Sequence, residues 1–293
     1  MGGKSILMLM SVYQKTSGHT RVIDNLSKNL VKQGYDVTIG AITFQKEPPE
    51  NVQGINLTYT NAKSVFKNYD IIHNHQTKMN YYSLFTSKPF LFQYHGASTK
   101  LQKINLYLSL LLCKKKISKI ITVSKSSIEQ LPTFAKNDNV HTIYNGIDTE
   151  FYNSNLKIKN KNVEPKLLFA GNLFKYKNVQ LLVKSMKKFV KKFPKTHLEI
   201  VGDGEYKIEL EKLIKNNHLE GNISLLGRIN DEELKEKYLI SDVYVSASTF
   251  ETFGMPLLEA MACGKPVAVS NIPAHNELVK ESNAGLCFSL NED

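Results

Sequence analysis

DVYVSASTFETFGMPLLEAMACGKPVAVS, residues 242–270, sets two apolar runs around a tight turn and a helical segment. DVYVSA (242–247) and PVAVS (266–270) read as short buried strands, rich in valine and bounded by turn residues. TFETFG (249–254) makes the turn. Pro256 then reads as the first helical residue of PLLEAMACG, where its missing amide costs nothing. Gly254 lets the backbone approach a ligand closely. Strand, turn, helix and strand in that order form a β–α–β unit, which implies parallel strands covered by helices.

The same alternation runs outward through the chain. SILMLMSV (5–12), DVTIGAITF (36–44), YDIIH (69–73), PFLFQY (89–94) and KIITVS (119–124) are strand-like. KLLFAG (166–171), HLEIVG (197–202) and NISLLG (222–227) begin a second series. In TRVIDNLSKNLVKQG (20–34), Val22, Ile23, Leu26, Leu30 and Val31 make one helical stripe that Gly34 stops. In NVQLLVKSMKKFVKKFP (178–194), Asn178 is expected to cap the helix and Pro194 to end it. Val179, Leu182, Val183, Met186, Phe189 and Val190 are expected to face its core. The polar stretch 151–165 lacks periodicity and reads as a linker between domains at 1–150 and 166–293. Two doubly wound α/β domains facing a cleft are therefore expected, with ligands at the carboxyl ends of the strands. A length of 293 residues suits two cores better than one.

Composition narrows the function classes. Hydrophobic residues at 42% and charged residues at 22% describe a folded soluble chain. No uncharged apolar run reaches the roughly 18 residues that a membrane span needs. The amino-terminal apolar run continues straight into further structure, so it reads as a strand and not as a leader. Cys113, Cys263 and Cys287 have no metal-ligand spacing, which points to free thiols in the reducing cytoplasm. The net charge of +11 is uneven: residues 1–150 carry 18 Lys+Arg against 9 Asp+Glu, and the remainder 20 against 18. Only Arg21 and Arg228 are arginines. Lysine gives a diffuse field suited to anionic surfaces, not bidentate base readout, so nucleic acid is not the expected partner.

Several motifs are absent: no G-x-G-x-x-G follows a strand, and neither G-x-x-x-x-G-K-[ST] nor G-x-S-x-G occurs. GDGEYK (202–207) reads as a strand-to-helix turn. HNH at 73–75 puts two imidazoles on one face of an extended segment, without local acids or cysteines to complete a metal site. They read as a satisfied or cleft-lining pair. His95 follows PFLFQY, at a strand exit, where ligand contact and a core position are both open. Lys177, in AGNLFKYKN (170–178), stands beside a helix amino terminus and suits an anion clamp; alone it reads as a surface lysine. Glu251 and Glu259 have seven residues between them. One lies before the helix and one on its first turns, so both can reach one pocket. Carboxylates accept paired hydrogen bonds from vicinal hydroxyls, and the helix terminus favours a diphosphate. Together these groups describe a nucleotide-sugar site, with sugar at Glu251 and ribose at Glu259.

These segments resemble the GT-B glycosyltransferases of the retaining group called family 4 or group 1. FETFGMPLLEAMACGKPVAVS resembles that family's E-x7-E motif, and YNGIDTEFY (144–152) its junction segment. AGNLFKYKNVQLLVKSM, LEIVGDGEY and ISLLGRI resemble its phosphate, G-x-G and base-side segments. The resemblance runs from about Lys4 to the end of the chain. It implies retaining hexosyl transfer from a UDP- or GDP-type sugar donor without metal or other cofactor, as in cell-surface polysaccharide synthesis. It assigns donor sugar to Glu251, ribose to Glu259, and diphosphate to Lys177 and the amides of Phe253, Gly254 and Met255. It puts Gly227 and Arg228 by the base, Gly18 facing the donor, and His95 near the reacting carbon.

Three features depart from the family pattern. Asn172 stands where many members carry arginine, with Lys175 as a candidate replacement charge. SGHT (17–20) has one glycine where two are common. The chain stops at Asp293 where members usually continue, so a truncated second domain is expected. For the acceptor, a glycan, a small molecule or a lipid-linked sugar fits. LQKINLYLSLLLCKKKISK (101–119) would suit peripheral contact with an anionic membrane at the cytoplasmic face. Its plainer reading, slightly favoured, is a buried helix with a lysine end. A non-catalytic nucleotide-sugar binder and a nucleotide-sugar epimerase remain alternatives.

Overall fold

The computed structural model describes residues 3–14, 18–154 and 165–290. The chain divides into two compact units, Met1–Gly146 and Ile147–Asp293. In the first unit Ser5–Tyr13 (β1), Asp36–Phe44 (β2), Gln53–Asn56 (β3), Ile71–Asn74 (β4), Phe90–Tyr94 (β5), Lys119–Thr122 (β6) and Val140–Thr142 (β7) form one sheet. Every pairing is parallel, in the order β3-β2-β1-β4-β5-β6-β7. Met8 and Leu9 of β1 are fully buried although they point to opposite faces, as expected of a strand covered on both sides.

Gly18–Lys32 (α1), Ala62–Phe66 (α2), Lys100–Cys113 (α3) and Lys125–Ile128 (α4) cover this sheet. Val22 and Ile23 of α1 are buried, Leu26, Leu30 and Val31 pack beside them, and Gly34 takes φ +87° where the helix stops. The 101–119 segment departs from the expected buried helix. α3 buries Leu106, Ser109, Leu110 and Cys113 but exposes leucines on its opposite face.

In the second unit Lys166–Ala170 (β8), His197–Val201 (β9), Ile223–Gly227 (β10), Val243–Ser246 (β11), Val267–Ser270 (β12) and Gly285–Phe288 (β13) form a second sheet, also parallel throughout. Its order is β10-β9-β8-β11-β12-β13. Both sheets therefore reverse direction of growth once, between β1 and β4 and between β8 and β11. Ligands gather outside the carboxyl ends of strands at such a reversal.

Val179–Lys192 (α5), Lys207–Asn216 (α6), Asp231–Ile240 (α7), Met255–Ala262 (α8) and Pro273–Ser282 (α9) surround the second sheet. Two helix expectations need correction. Asn178 makes no side-chain cap, because it takes a left-handed conformation (φ +52°) as it leaves the 3-10 turn Lys175–Lys177. Phe189 is exposed and packs on Phe193, with ring centroids 5.2 Å apart, while Leu181 joins Val179, Leu182, Val183 and Met186 in the core.

The expected linker is only partly described, since residues 155–164 lie outside the described set. Its opening residues belong to the second unit. Tyr152 is buried with its ring 6.2 Å from that of Tyr238, and Lys235 Nζ lies 5.0 Å from the Phe151 ring centre.

Candidate functional site

The exits of β8 and β11 meet at the reversal point of the second sheet. After β8 the chain passes Gly171 and Asn172 to Lys177. After β11 it passes Ser248 and Glu251 to Gly254. The two loops are joined through Thr249, whose N–H and Oγ1 both donate to the Tyr176 carbonyl (2.7 and 3.1 Å). That tie brings Lys177 Nζ to 2.5 Å from Glu251 Oε1, with side chains 12% and 15% exposed. Ser248 Oγ donates to the same carboxylate oxygen at 2.9 Å. Lys177 also lies 5.6 Å from the Tyr176 ring centre.

Beside this pair, α8 follows Gly254 (φ +102°), an N-cap residue with no side chain to cap the first turn. Pro256 is the second helical residue, not the first, and still falls where the helix needs no internal amide donor. Phe253 is buried, and Met255 begins the helix. His275 of α9 is buried under the turn, sharing its Nδ1 with the Ser270 hydroxyl and carbonyl at 3.1 Å each. Burial lowers its pKa, Glu251 opposes that shift and Lys177 adds to it, so the imidazole lies in the field of both.

Glu259 is deeper than expected for a residue facing a polyol. It is 1% exposed, and its Oε2 accepts the Tyr238 hydroxyl at 2.9 Å. Burial first, and Glu259 second, push the Tyr238 pKa far up. Tyr244 is raised by burial and then by both Glu251 and Glu259, so the two carboxylates act on one buried phenol. Its hydroxyl donates to the Ala170 carbonyl at 3.3 Å. Tyr238, Tyr244, Ser248 and His275 were not singled out from the sequence. The signal was faint: Ser246 and Ser248 alternate on β11 and its exit, pointing the same way as a strand requires.

A row of glycines closes the opposite side. Gly171 N–H donates to Val201 O (3.0 Å), and Gly202 N–H donates to Gly227 O (2.8 Å). The three take φ of +152°, +136° and +70°. Leu173 N–H then donates to Asp203 O and Tyr206 N–H to Leu173 O, which makes 202–207 the turn that the sequence suggested. Asn172 and Lys175 are exposed on this rim, as is Arg228 after Gly227.

The first unit holds a separate column of imidazoles at its own reversal point. His19 comes from the first turn of α1, His73 and His75 from β4 and its exit, and His95 from the exit of β5. Ring centroids are 4.8 Å apart for His19–His95, 5.4 Å for His75–His95 and 4.2 Å for His73–His75. His75 Nδ1 and His95 Nε2 share a proton at 3.1 Å. Burial pushes the His73 pKa down to about 4 against a hydrogen bond with Gln93. His75 and His95 fall well below the usual value through burial and their imidazole neighbours. Gly18 is the exposed first residue of α1, where an added Cβ would meet nothing. Among the described residues no group of His, Cys, Asp or Glu is arranged to hold a metal ion.

The pair at 73–75, expected to be satisfied or to line a cleft, is satisfied on one side only: Nε2 of His73 and of His75 are buried without hydrogen-bond partners, while His75 Nδ1 meets His95. This orients the His75–His95 contact. A buried N–H without an acceptor is rarer than an acceptor without a donor. His75 is therefore expected to keep its proton on Nδ1 and donate to His95, which leaves His95 protonated on Nδ1. Long-range 15N–1H spectra at neutral pH should show that tautomer for His95, and in His75→Phe its more usual Nε2 form. An Nε2-protonated His95 in the parent would reverse the assignment.

Two family descriptions match the chain, Glycosyltransferase Family 4 over residues 16–151 and Glycosyl transferases group 1 over residues 150–293. The chain belongs to the group 1 glycosyltransferases of GT-B fold. An uncharacterised glycosyltransferase of Methanocaldococcus jannaschii is 27% identical over 308 residues, covering 89% of this chain and 78% of that protein. The alpha-monoglucosyldiacylglycerol synthase of Acholeplasma laidlawii is 31% identical over 47% of this chain and 34% of its own length. Among solved structures, Anabaena HepE in complex with UDP-glucose superposes with TM-score 0.78 at 21% identity, covering 94% of this chain and 83% of that one. S. aureus TarM gives 0.81 at 13% identity, covering 99% and 90%. Coverage of this extent runs against the expected strong truncation of the second domain.

Proposed function

We propose that this glycosyltransferase moves a sugar from a nucleoside diphosphate to an acceptor hydroxyl, with retention of anomeric configuration and without a metal or other cofactor. The observation that carries the donor site is the Lys177–Glu251 pair beside the start of α8, whose N-cap is Gly254. Before donor binds, the pair keeps each charge compensated where water is scarce. On binding, Lys177 turns to the diphosphate and Glu251 accepts hydroxyls of the donor sugar. Glu259, held by Tyr238, takes the ribose, with Gly227 and Arg228 toward the base. UDP is the first nucleotide to test, since UDP-glucose binds Anabaena HepE. His95 near the reacting carbon and Gly18 facing the donor keep the roles that the family resemblance implies, and Asn172, where many members carry arginine, is the candidate for a neutral contact to the donor phosphate.

In the transfer, the C1–oxygen bond to the diphosphate breaks as the acceptor oxygen bonds C1 on the same face. The acceptor proton leaves on the departing phosphate oxygen. Lys177 and the α8 amides stabilise the negative charge growing there, the role a metal has elsewhere. The acceptor is a glycan, a small molecule or a lipid-linked sugar. The diacylglycerol in the A. laidlawii relative's name keeps the last of these in the proposal. The chain's buried free Cys113 and Cys263 fit the proposed cytoplasmic location. Among the described residues no helix is long and apolar enough to cross a membrane.

Calorimetric titration with UDP, GDP and ADP, with and without EDTA, tests the reading. One nucleotide should bind equally well in both buffers and roughly 10- to 100-fold more weakly to Glu259→Gln, the loss of a charged hydrogen bond. Absence of binding to all three would overturn the donor site.

A further inference from the structure

We infer that α3 and its lysines form a docking face for an anionic lipid surface. The inference does not depend on the proposed donor chemistry. Leu101, Ile104, Tyr107, Leu108, Leu111 and Leu112 of α3 are between 46% and 76% exposed. Their spacing puts them on one stripe, opposite the buried Leu106, Ser109, Leu110 and Cys113. Exposed apolar residues scattered singly need no explanation, but six on one helix face mark an interaction surface. Beside the stripe an open groove of about 710 Å3, lined in part by Tyr107, Leu131, Pro132 and Phe134, extends the apolar surface.

The charge pattern decides the occupant. Residues 71–128 contain nine lysines, no arginine and no acid. The rest of residues 1–150 carries nine basic residues against nine acids, so this segment holds the entire +9 excess of that half. Lys100 and Lys103 lie at the start of the helix, and Lys114, Lys115 and Lys116 follow its end. A protein partner fitted to this surface would have to supply leucine-sized apolar contact and an acidic frame together. An anionic bilayer supplies both without a complementary shape: acyl boundary for the stripe, and phosphate headgroups for the lysines at its two ends, of which Lys114 is held over the Phe134 ring beside the groove. At about 1.5 Å per residue the helix spans roughly 21 Å, and with one face committed to the core of the unit it lies along a surface instead of crossing it. It begins five residues after His95, so docking sets the exit of β5 near the lipid plane.

Co-sedimentation with phosphatidylcholine vesicles, with and without phosphatidylglycerol, tests this. The parent chain should bind only the anionic vesicles and lose binding at high salt. Lys114→Gln/Lys115→Gln/Lys116→Gln should weaken partitioning roughly a hundredfold, at about 1 kcal/mol per lysine. Leu101→Gln/Leu108→Gln/Leu112→Gln should abolish it. Circular dichroism and UDP titration of the same variants should match the parent, which separates loss of docking from loss of fold or donor site. No binding to anionic vesicles, equal binding to neutral ones, or a parent dimer that the leucine variant dissociates would each overturn the proposal.

Discussion

Lys177→Ala is expected to lower kcat/KM by on the order of a thousandfold, the loss seen when one preorganised donor to a developing oxyanion is removed. The same variant is also expected to lose stability. Lys177 and Glu251 are only 12% and 15% exposed, so removing the ammonium leaves a buried carboxylate with Ser248 as its remaining named partner. Breaking a buried pair from one side costs about 3–5 kcal/mol, and the residual exposure and the serine hydrogen bond place this case near or below the lower end. The double variant Lys177→Ala/Glu251→Ala should recover part of that stability, because no uncompensated charge remains. It should recover none of the turnover. Urea unfolding and steady-state rates on the three proteins measure both. A double variant as unstable as the single would mean that the pair is not electrostatically coupled. A Lys177→Ala enzyme with parental turnover would remove the lysine from the proposed transition state.

Much of this arrangement was legible before any coordinates. The strands singled out from sequence are present, because strands covered on both faces read as continuous apolar runs. β3, β7 and β13 were not singled out, and each is an edge strand of its sheet. QGIN and VHT carry few apolar residues because one side of an edge strand has no neighbour to pack or pair with. The error at Asn178 has a similar origin. Asparagine favours both the cap and the left-handed turn, and only the preceding 3-10 turn decides between them.

At the site, sequence spacing placed both glutamates on one strand–turn–helix unit but not their environments. Whether Glu259 faces a pocket or a buried phenol depends on Tyr238, 21 residues away on α7. Whether Lys177 is a solvated surface lysine depends on Thr249, which ties its loop to that of Glu251. Such contacts between distant segments leave no periodic trace. α3 shows the reverse case: its leucine run signalled burial, and the fold leaves Leu101, Leu108, Leu111 and Leu112 exposed. A wholly buried helix and one apolar on two faces share a composition and differ only in what lies beside them.

Gly202→Ala should be the most damaging single methyl in the second unit. A Cβ built at Gly202 would lie 1.9 Å from the Gly171 carbonyl oxygen and 2.9 Å from its carbon. Neither atom belongs to a side chain that can turn away. The backbone at φ +136° is also one that alanine rarely adopts. Gly254→Ala is the control: its φ of +102° carries similar conformational strain, but the nearest atom to its Cβ is a Leu257 carbon at 3.6 Å. Strain alone costs on the order of 1–3 kcal/mol, which is the expectation for Gly254→Ala. At Gly202 the exits of β8 and β9 must also separate, stretching the Gly171–Val201 and Leu173–Asp203 hydrogen bonds (3.0 and 2.9 Å). The total should then reach roughly 4 kcal/mol or more, beyond the usual range for a single substitution. Chemical unfolding of the two variants beside the parent measures the difference. If Gly202→Ala costs no more than Gly254→Ala, the strand exits are not in the close contact described here, and the Gly171 turn that leads to Lys177 would have room to move.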